Sequence, residues 1–571
     1  MPEQGSHERS NMTHELHSWI SLVPLTDAQL TSQRQLECTK GLACTRRQAL
    51  ETALYAASQL PQSIGGFGNL LEDEGPGEEQ RSVPSVEFLT WMLNDIRGDR
   101  FGLFVLDYFK HVSKSTLKHM GLSLLAKSAS PYESILYTVC VNAMAYKFLT
   151  TVLMTDEQDE LSRKLWQSAL QCRKTAQRAL KEIGLLAAPS LALLQAILCG
   201  IFLYQGSGDT QFCCELIRAA CRVCVDLGLN TTVVNLQGTS EEEYYCVLWC
   251  YMLDRNYAWK LGRSQCFLDV DPGTILRHSL FDDSPVSSLL LIYIHLAQVQ
   301  EGLIPFLKNI PSSGKNEDVA PSFNNVREQS LLKMEDVRRR INQIPINSHS
   351  HEWKGLDAGS EIAALDFAYH SVMTAIFHLT QVTPGLILGA GELYLHSARQ
   401  GLSALVSICL LSSDKQATVA FLHWTLLYCP LTACFVLLCN AVTTSHLGDF
   451  NLLKTVTNCL IQSGTLSQPI ATLQRLFQNF VSLSQCFFNE GSSTTSVDEG
   501  TLQMPPSHQL GFVSHLSQMS PFSMDDPVAP RQGTLLGEDH IFDSSLYHIP
   551  PHWDLGSLLG DAADIPPFSA G

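Results

Sequence analysis

The stretch SEEEYYCVLWCYMLDRNYAWKLGR at residues 240–263, which follows DTQFCCELIRAACRVCVDLGLN at 209–230, decides the fold. In the earlier stretch, apolar residues recur with the period of an α-helix and charged residues take the opposite face. Gly228 then suits the left-handed position that ends many helices. Ser240, with a glutamate three residues later, is a capping-box pattern that predicts the start of a second helix, and Gly262 predicts its end. The sequence therefore predicts two consecutive helices here.

Three charged residues lie in or beside the strongly apolar second helix, namely Asp254, Arg255 and Arg263. Charged side chains beside an apolar helix are rarely buried unless they are paired. We therefore expect an ion-pair and capping network that fixes how this helix meets the following loop at Asp269 and Asp271. An anchor for a sensed ligand is the alternative interpretation of the same residues.

Both stretches carry a resemblance to a known family, the fungal-specific transcription factor domain. The run CELIRAACRVCVDLGLN is similar to its signature G-x-A-x-R-x-A-x-D-L-G-L-H, and LWCYMLDR…LGRS is similar to R-x-L-W-W-x-x-Y-x-L-D-R…L-G-R-P, with Ser264 in place of the proline. YCPLTACFVLLCNAVTT…GDFNLL at 428–453 resembles a later segment of the family. The matching residues, for which a structural role is expected, are Gly228, Trp249, Asp254, Arg255, Gly262, Arg263 and Pro430.

The resemblance covers roughly residues 100–490 and implies the regulatory middle domain of a fungal zinc binuclear-cluster regulator. Zinc would be expected in that family, held by six cysteines. Only Cys38 and Cys44 occur before residue 140, and a short basic pair, Arg46 and Arg47, follows them. Two cysteines cannot form such a cluster. We therefore predict no cofactor in this sequence and an indirect association with DNA.

The composition limits the remaining function classes. Of 571 residues, 45% are hydrophobic and 16% charged, which suffices for a large buried core. A net charge of −18 does not provide the basic surface that nucleic-acid binding requires. The one dense basic cluster, Arg338–Arg340, is expected to be a solvated helix face. The 18 cysteines are scattered through apolar stretches, with no signal peptide pattern, and we expect buried thiols in a reducing compartment.

No motif predicts catalysis. The pair Asp282-Asp283 lacks the second half of a DDxxD motif, and the histidines of the run HELH at 14–17 are one residue too close for a HExxH zinc helix. Cys221 and Cys224 have CxxC spacing, but both fall on the apolar face of one helix, which favours core packing over redox chemistry. An all-α enzyme is therefore only a remote alternative.

Residues 416–448 contain no charged side chain and are long enough to cross a membrane. His423, Pro430 and the lack of flanking basic residues favour a buried helix over about 416–445 instead. We predict no membrane association.

The remaining helical patterns predict an all-α chain, a multi-helix array of antiparallel helices with disordered N- and C-terminal segments. We predict three regions. Residues 1–85 form a polar segment and an acidic Gly/Pro linker, 86–490 the helical regulatory domain, and 491–571 a Ser/Pro-rich linker and an acidic, hydrophobic tail. No helix is assigned between residues 86 and 125, which form a mixed apolar stretch.

Residues 521–571 contain eight acidic residues and one basic residue, a net charge of −7. Bulky apolar side chains are interleaved with the acids, as in activation segments that bind a partner's groove. The candidate activation patch consists of Phe542, Trp553, Leu555, Leu558 and Leu559. The alternative is a tail that packs back on the domain or is inert.

Together, the family resemblance and the acidic tail imply a nuclear transcriptional regulator, not an enzyme, and the resemblance implies control of a metabolic or secondary-metabolite gene set. Its expected partners are coactivators or the transcription machinery, through the tail, and a second copy or related regulators. A coregulator or dominant-negative partner of zinc-cluster factors, without DNA binding of its own, is the alternative. A zinc-cluster exon missing from the predicted gene start is a further alternative.

Overall fold

The computed structural model describes residues 44–58, 84–95, 110–152, 160–184, 187–206, 208–231, 240–268, 270, 285–308, 319–344, 358–382, 390–411, 418–419, 421–423, 425 and 432–489. The chain divides into two compact units, Met1–Val497 and Asp498–Gly571, and every described residue belongs to the first. The terminal segments that were expected to be disordered, and the acidic tail, lie outside the described residues.

The described part of the chain contains fifteen α-helices, further helical residues at 229–231, 418–419, 421–423 and 425, and no strand, which confirms the all-α prediction. The first eight are α1 (Cys44–Ser58), α2 (Val86–Asp95), α3 (Lys114–Leu125), α4 (Pro131–Val152), α5 (Glu160–Lys181), α6 (Leu191–Gly206), α7 (Thr210–Asp226) and α8 (Glu241–Leu261). The other seven are α9 (Pro285–Lys308), α10 (Val319–Gln343), α11 (Ala358–Val382), α12 (Ala390–Leu411), α13 (Thr432–Thr444), α14 (Leu447–Leu466) and α15 (Gln468–Asn489).

The two signature helices, α7 and α8, begin and end where their caps predict. Ser240 is the N-cap of α8 and forms a capping box with Glu243, whose side chain accepts the Ser240 N–H at 2.8 Å. Gly262 ends α8 with a left-handed φ of 60°. Asp209 caps α7, and Gly228 follows that helix with a φ of 68°. A side chain larger than hydrogen is strained at both glycines.

Other parts of the chain differ from the sequence-based expectation. Helices α2 and α3 occupy the stretch to which no helix was assigned, because short amphipathic segments carry too few turns to show a clear period. Of the expected helix over 416–445, Thr432–Thr444 form α13, and the described residues at 418–419, 421–423 and 425 are also helical. Residues 426–431, with Pro430, lie outside the described residues.

From α2 onward, each helix packs against the next one in sequence around one continuous hydrophobic core, which extends from α1 to α15. Helix α9 contacts α8 on one side and α10 and α11 on the other, so it connects the α3–α8 part of the array with the α11–α15 part. Helix α8 is deeply enclosed, because Trp249, Trp259 and all residues between them are buried. This helix is buried on all sides along that stretch, as expected for the centre of a large helical core, although it carries charged residues.

The first described helix, α1, packs on the helices that come last in sequence, α13 and α15. Arg46 donates from Nη1 to the carbonyl oxygens of Val442 and Thr443, at 2.6 and 2.8 Å, and from Nη2 to Ser445 Oγ at 3.0 Å. The C-terminal carbonyls of a helix carry partial negative charge and lack partners within the helix. Arg46 therefore caps α13 from a position 396 residues away.

Two helical stretches in the described part of the chain are long and apolar enough to cross a membrane, Ser287–Phe306 in α9 and Ala358–Thr380 in α11. In each, 67% of the most apolar window is buried against other helices of the domain. Core helices of large helical domains have the same length and composition, so the two stretches are weak indicators of membrane insertion.

Candidate functional site: a buried charge cluster between α8 and α9

The first turn of α8 holds the segment that precedes α3. Glu242 accepts the backbone N–H of Ser113 with Oε1 at 2.5 Å and the side-chain amide of Gln195 with Oε2 at 3.3 Å. Gln195, in α6, also donates to the carbonyl oxygen of His111 at 2.8 Å. A single carboxylate thereby connects three parts of the domain that are distant in sequence.

Asp254 lies on the buried surface of α8 and caps the loop that follows the helix. Its side chain is 3% exposed. Its two carboxylate oxygens accept the backbone N–H of Cys266, at 3.0 and 3.1 Å, and Oδ2 also accepts that of Phe267 at 3.2 Å. The expected contacts of this network at Asp269 and Asp271 fall outside the described residues. The loop is instead held by its backbone at residues 266 and 267.

Arg255 is the largest charged side chain in the core, with 0% exposure. Its Nη1 donates to the Phe267 carbonyl oxygen at 2.5 Å and to Asp254 Oδ2 at 2.9 Å. Its Nη2 donates to Glu301 Oε1, in α9, at 2.6 Å. The guanidinium carbon lies 4.4 Å from the ring centroid of Tyr251, and the Tyr251 hydroxyl donates to Glu301 Oε2 at 2.7 Å.

The electrostatics of this cluster keep Tyr251 protonated and Arg255 charged at neutral pH. Burial, and then the neighbouring carboxylate of Glu301, raise the pKa of Tyr251, so its hydroxyl stays protonated and donates. Arg255 remains charged because the carboxylates of Asp254 and Glu301 face it. Removing one member of a buried ion pair typically costs about 3–5 kcal/mol. The arrangement therefore fixes the packing of α8 against α9.

The end of α8 is connected to α7 by Arg263, which follows Gly262. Arg263 is partly exposed, and its Nη1 lies 3.3 Å from Cys214 Sγ and 3.8 Å from Glu215 Oε1. At the other side of α8, Trp249 is 2% exposed and packs edge-to-face on Phe202 of α6, with ring centroids 4.9 Å apart. Each of these signature residues holds α8 to a different neighbour.

The cysteines near α8 are free and buried. Cys221 and Cys224 belong to the continuous hydrophobic core, which agrees with the core-packing interpretation of their CxxC spacing. Burial raises the pKa of Cys246 well above its ordinary value, so this thiol stays protonated. Cys199 differs, because hydrogen bonds from Cys140 and then from His111 lower its pKa to about 6, and its Sγ lies 3.5 Å from His111 Nε2.

Within the described residues, no group of three or more His, Cys, Asp or Glu side chains could hold a metal ion. Cys44 is the first residue of α1, and Cys38 lies outside the described residues.

The basic cluster at the end of α10 makes ion pairs on the domain surface. Arg339 and Arg340 both contact Asp336, at 2.9 and 2.7 Å, and Arg338 contacts Asp366 of α11 at 2.6 Å. Arg338 thus departs from the expected solvated helix face, because it reaches across to a neighbouring helix.

Two partners in these networks were not found from the sequence. Glu301 is 46 residues from Arg255, and no local pattern connects them. Asp449, in the segment that resembles the family, is 1% exposed and accepts from Arg399 at 2.6 and 3.1 Å and from Asn440 at 2.7 Å. The remaining candidate residues lie outside the described part of the chain: Pro430, Phe542, Trp553, Leu555, Leu558 and Leu559.

Comparison with known proteins finds a family model that matches the part of the molecule around α8. No curated protein matches the chain. The family model of the fungal specific transcription factor domain matches residues 109–272, which extend from the segment held by Glu242 to just beyond the loop held by Asp254 and Arg255. Residues 109–272 are therefore similar to the fungal specific transcription factor domain, in agreement with the resemblance of the two sequence motifs in α7 and α8.

Proposed function

We propose that this protein is a nuclear regulator in which the helical domain controls an acidic, hydrophobic C-terminal activation segment. The observation that carries the proposal is the match of residues 109–272 to a domain of transcriptional regulators. The composition of residues 521–571, with a net charge of −7 and interleaved bulky apolar side chains, supports the activation role. Acidic residues keep such apolar side chains accessible to the groove of a coactivator.

The role proposed for the helical domain is that of a scaffold. The buried cluster of Asp254, Arg255 and Glu301 consists of groups that are already paired, and it supports rigid positioning rather than catalysis. We propose that the domain presents the tail and mediates association with a second copy or a related regulator. In this proposal the protein reaches a promoter through that partner.

The activation role is tested with the full chain fused to a heterologous DNA-binding domain in a reporter assay. Replacing Trp553, Leu558 and Leu559 by alanine should abolish most of the reporter signal, because the apolar contacts to a coactivator are lost. The matched control replaces Leu535 and Leu536 of the same tail by alanine and should keep the signal. An equal signal in both variants and the parent, or no signal in any, contradicts the activation role.

A coregulator function, in which the protein modulates zinc-cluster factors without contacting DNA, is the second candidate. The net charge of −18 favours it, since an acidic surface repels phosphate. Co-precipitation with a zinc-cluster regulator, followed by chromatin immunoprecipitation of both proteins, separates the two functions. Promoter occupancy that persists when the partner is deleted is incompatible with the coregulator function. Transcript profiling of the deletion strain tests the proposed metabolic target set.

A further inference from the structure

A groove of about 680 Å³ lies between α10, α11 and α12, outside the residues that match the family. Small-molecule sites in proteins typically have volumes of about 300–1,000 Å³. Arg338 contributes from α10, and residues 366–377 of α11 and 393–407 of α12 form the two walls. The groove therefore has the size that a small ligand requires, with two helical walls and Arg338 at one side.

The antiparallel packing of α11 and α12 gives the groove two different ends. His378 stacks on Tyr394 with ring centroids 5.6 Å apart, so the end of α11 lies beside the start of α12. A Cβ atom added at Gly401 would lie 3.5 Å from His370 Cβ, so Gly401 of α12 lies beside His370 of α11. At 1.5 Å per residue, positions 366 and 377 are separated by about 16 Å along the helix axis.

One end of the groove is polar but carries no net charge. Arg338 Nη1 donates to Asp366 Oδ1 at 2.6 Å, and the two side chains are 29% and 32% exposed. Arg338 Nη2 donates to His370 Nε2 at 3.1 Å, which requires the neutral imidazole. Burial, and then Arg338, lower the pKa of His370 to about 3, in agreement with a neutral ring. Ser403 and Ser407 of α12 line the same end.

The other end is apolar. Met373 and Phe377 of α11 are half-buried and line the groove with Leu393 of α12, which is 51% exposed. When a ligand covers a large apolar side chain at a groove wall, the free energy of binding becomes more favourable by about 25 cal/mol per Å² of apolar surface removed from water. His396 and Gln400 lie on the α12 wall between the two ends.

We propose that this groove binds an uncharged amphipathic small molecule, with its apolar body against Phe377 and Leu393 and its head at Arg338 and Asp366. The head offers both a hydrogen-bond donor and an acceptor, as a primary amide does, because Asp366 can accept and Arg338 can donate. An anionic head would lie against the carboxylate of Asp366, and a cationic head against the guanidinium of Arg338. Both would lose hydration without a net opposite charge to replace it. This binding site does not depend on the activation role proposed above.

Three probes with the same eight-carbon chain test the head-group preference: octanamide, octanoate and octylammonium. Isothermal titration of the full chain should give the tightest binding for octanamide, by at least tenfold. Ser407→Trp places a large side chain in the groove and should reduce octanamide binding at least tenfold. Ser482→Trp on α15 is the matched control, because both serines are exposed and bond to the carbonyl four residues earlier on their own helix. This control should bind as the parent does.

Asp366→Asn supplies a second, independent measurement, since it leaves Arg338 without its carboxylate and gives this end a positive charge. The preference should then change from octanamide to octanoate, by at least fivefold. Binding of none of the three probes overturns the proposal. So does equal binding of all three, binding that Ser407→Trp leaves unchanged, or a head-group preference that Asp366→Asn does not alter. Circular dichroism of each variant verifies that the helical fold is retained.

Discussion

The strongest test of the buried charge cluster is Glu301→Gln. The carboxylate of Glu301 accepts from Arg255 at 2.6 Å and from Tyr251 at 2.7 Å, and its side chain is 25% exposed. Glutamine is nearly isosteric, but it removes the negative charge and has only one acceptor oxygen for the two donors. Arg255, which is fully buried, then retains only Asp254 as a counter-charge.

Breaking a buried ion pair costs about 3–5 kcal/mol, and the partial exposure of Glu301 and the remaining Asp254 reduce that value. We therefore expect Glu301→Gln to lower the free energy of unfolding by about 2–3 kcal/mol. The measurement is urea unfolding of the full chain, followed by fluorescence and circular dichroism. The expected change is a lower midpoint with an unchanged slope.

Glu215→Gln is the matched control, since Glu215 pairs with Arg218 at 2.9 Å but is 55% exposed. Exposed ion pairs contribute about 0–1 kcal/mol, so this variant should differ little from the parent. Tyr251→Phe should cost about 1 kcal/mol, and its effect should be smaller in the Glu301→Gln background because both remove the same hydrogen bond. Equal midpoints for Glu301→Gln and Glu215→Gln would refute the assigned role of the cluster.

Three further changes test other features by unfolding measurements. Arg46→Ala should lower the free energy of unfolding by about 1–2 kcal/mol, because the C-terminal carbonyls of α13 lose their cap. The control Arg47→Ala removes an exposed side chain and should be neutral. Equal effects of the two changes would contradict the capping role. Burial lowers the pKa of His423 from 6.5 to about 4, so its contribution of about 3 kcal/mol is present above pH 6.5 and lost as the pH falls through 4. Accordingly, His423→Gln should flatten the pH dependence of the urea midpoint, and an unchanged profile would contradict this assignment. Gly262→Ala should lower the free energy of unfolding by about 1 kcal/mol, because this residue has a left-handed φ of 60°. The control Gly184→Ala should not destabilise the protein, since no atom lies within 4 Å of the added methyl group. A neutral Gly262→Ala would contradict the requirement for glycine.

The parts of the fold that could be predicted from the sequence are those governed by neighbours along the chain. The capping box of Ser240 and Glu243 and the left-handed ends at Gly228 and Gly262 depend on a few consecutive residues, and the structure has them where they were predicted. The all-α class follows in the same way from helical periodicity repeated over hundreds of residues.

The parts that could not be predicted depend on which helices become neighbours. Glu301 was not recognised as the partner of Arg255, because nothing in an amphipathic pattern states which helix packs on which. The same limit applies to Arg46, which looked like part of a basic pair and is the cap of α13. The groove at Arg338 also requires knowledge of the α11–α12 register, which only the folded chain supplies.

The contact between α1 and the last helices has a consequence for biosynthesis. Arg46 leaves the ribosome long before its acceptors at Val442 and Thr443, which are synthesised 396 and 397 residues later. At about 5–20 residues per second, α1 waits roughly 20–80 s for its docking site. During that interval the apolar side chains of Leu50 and Ala53, both buried in the finished domain, have no native surface to cover them. We therefore expect these apolar side chains to stay accessible on the nascent chain until the final helices have been translated.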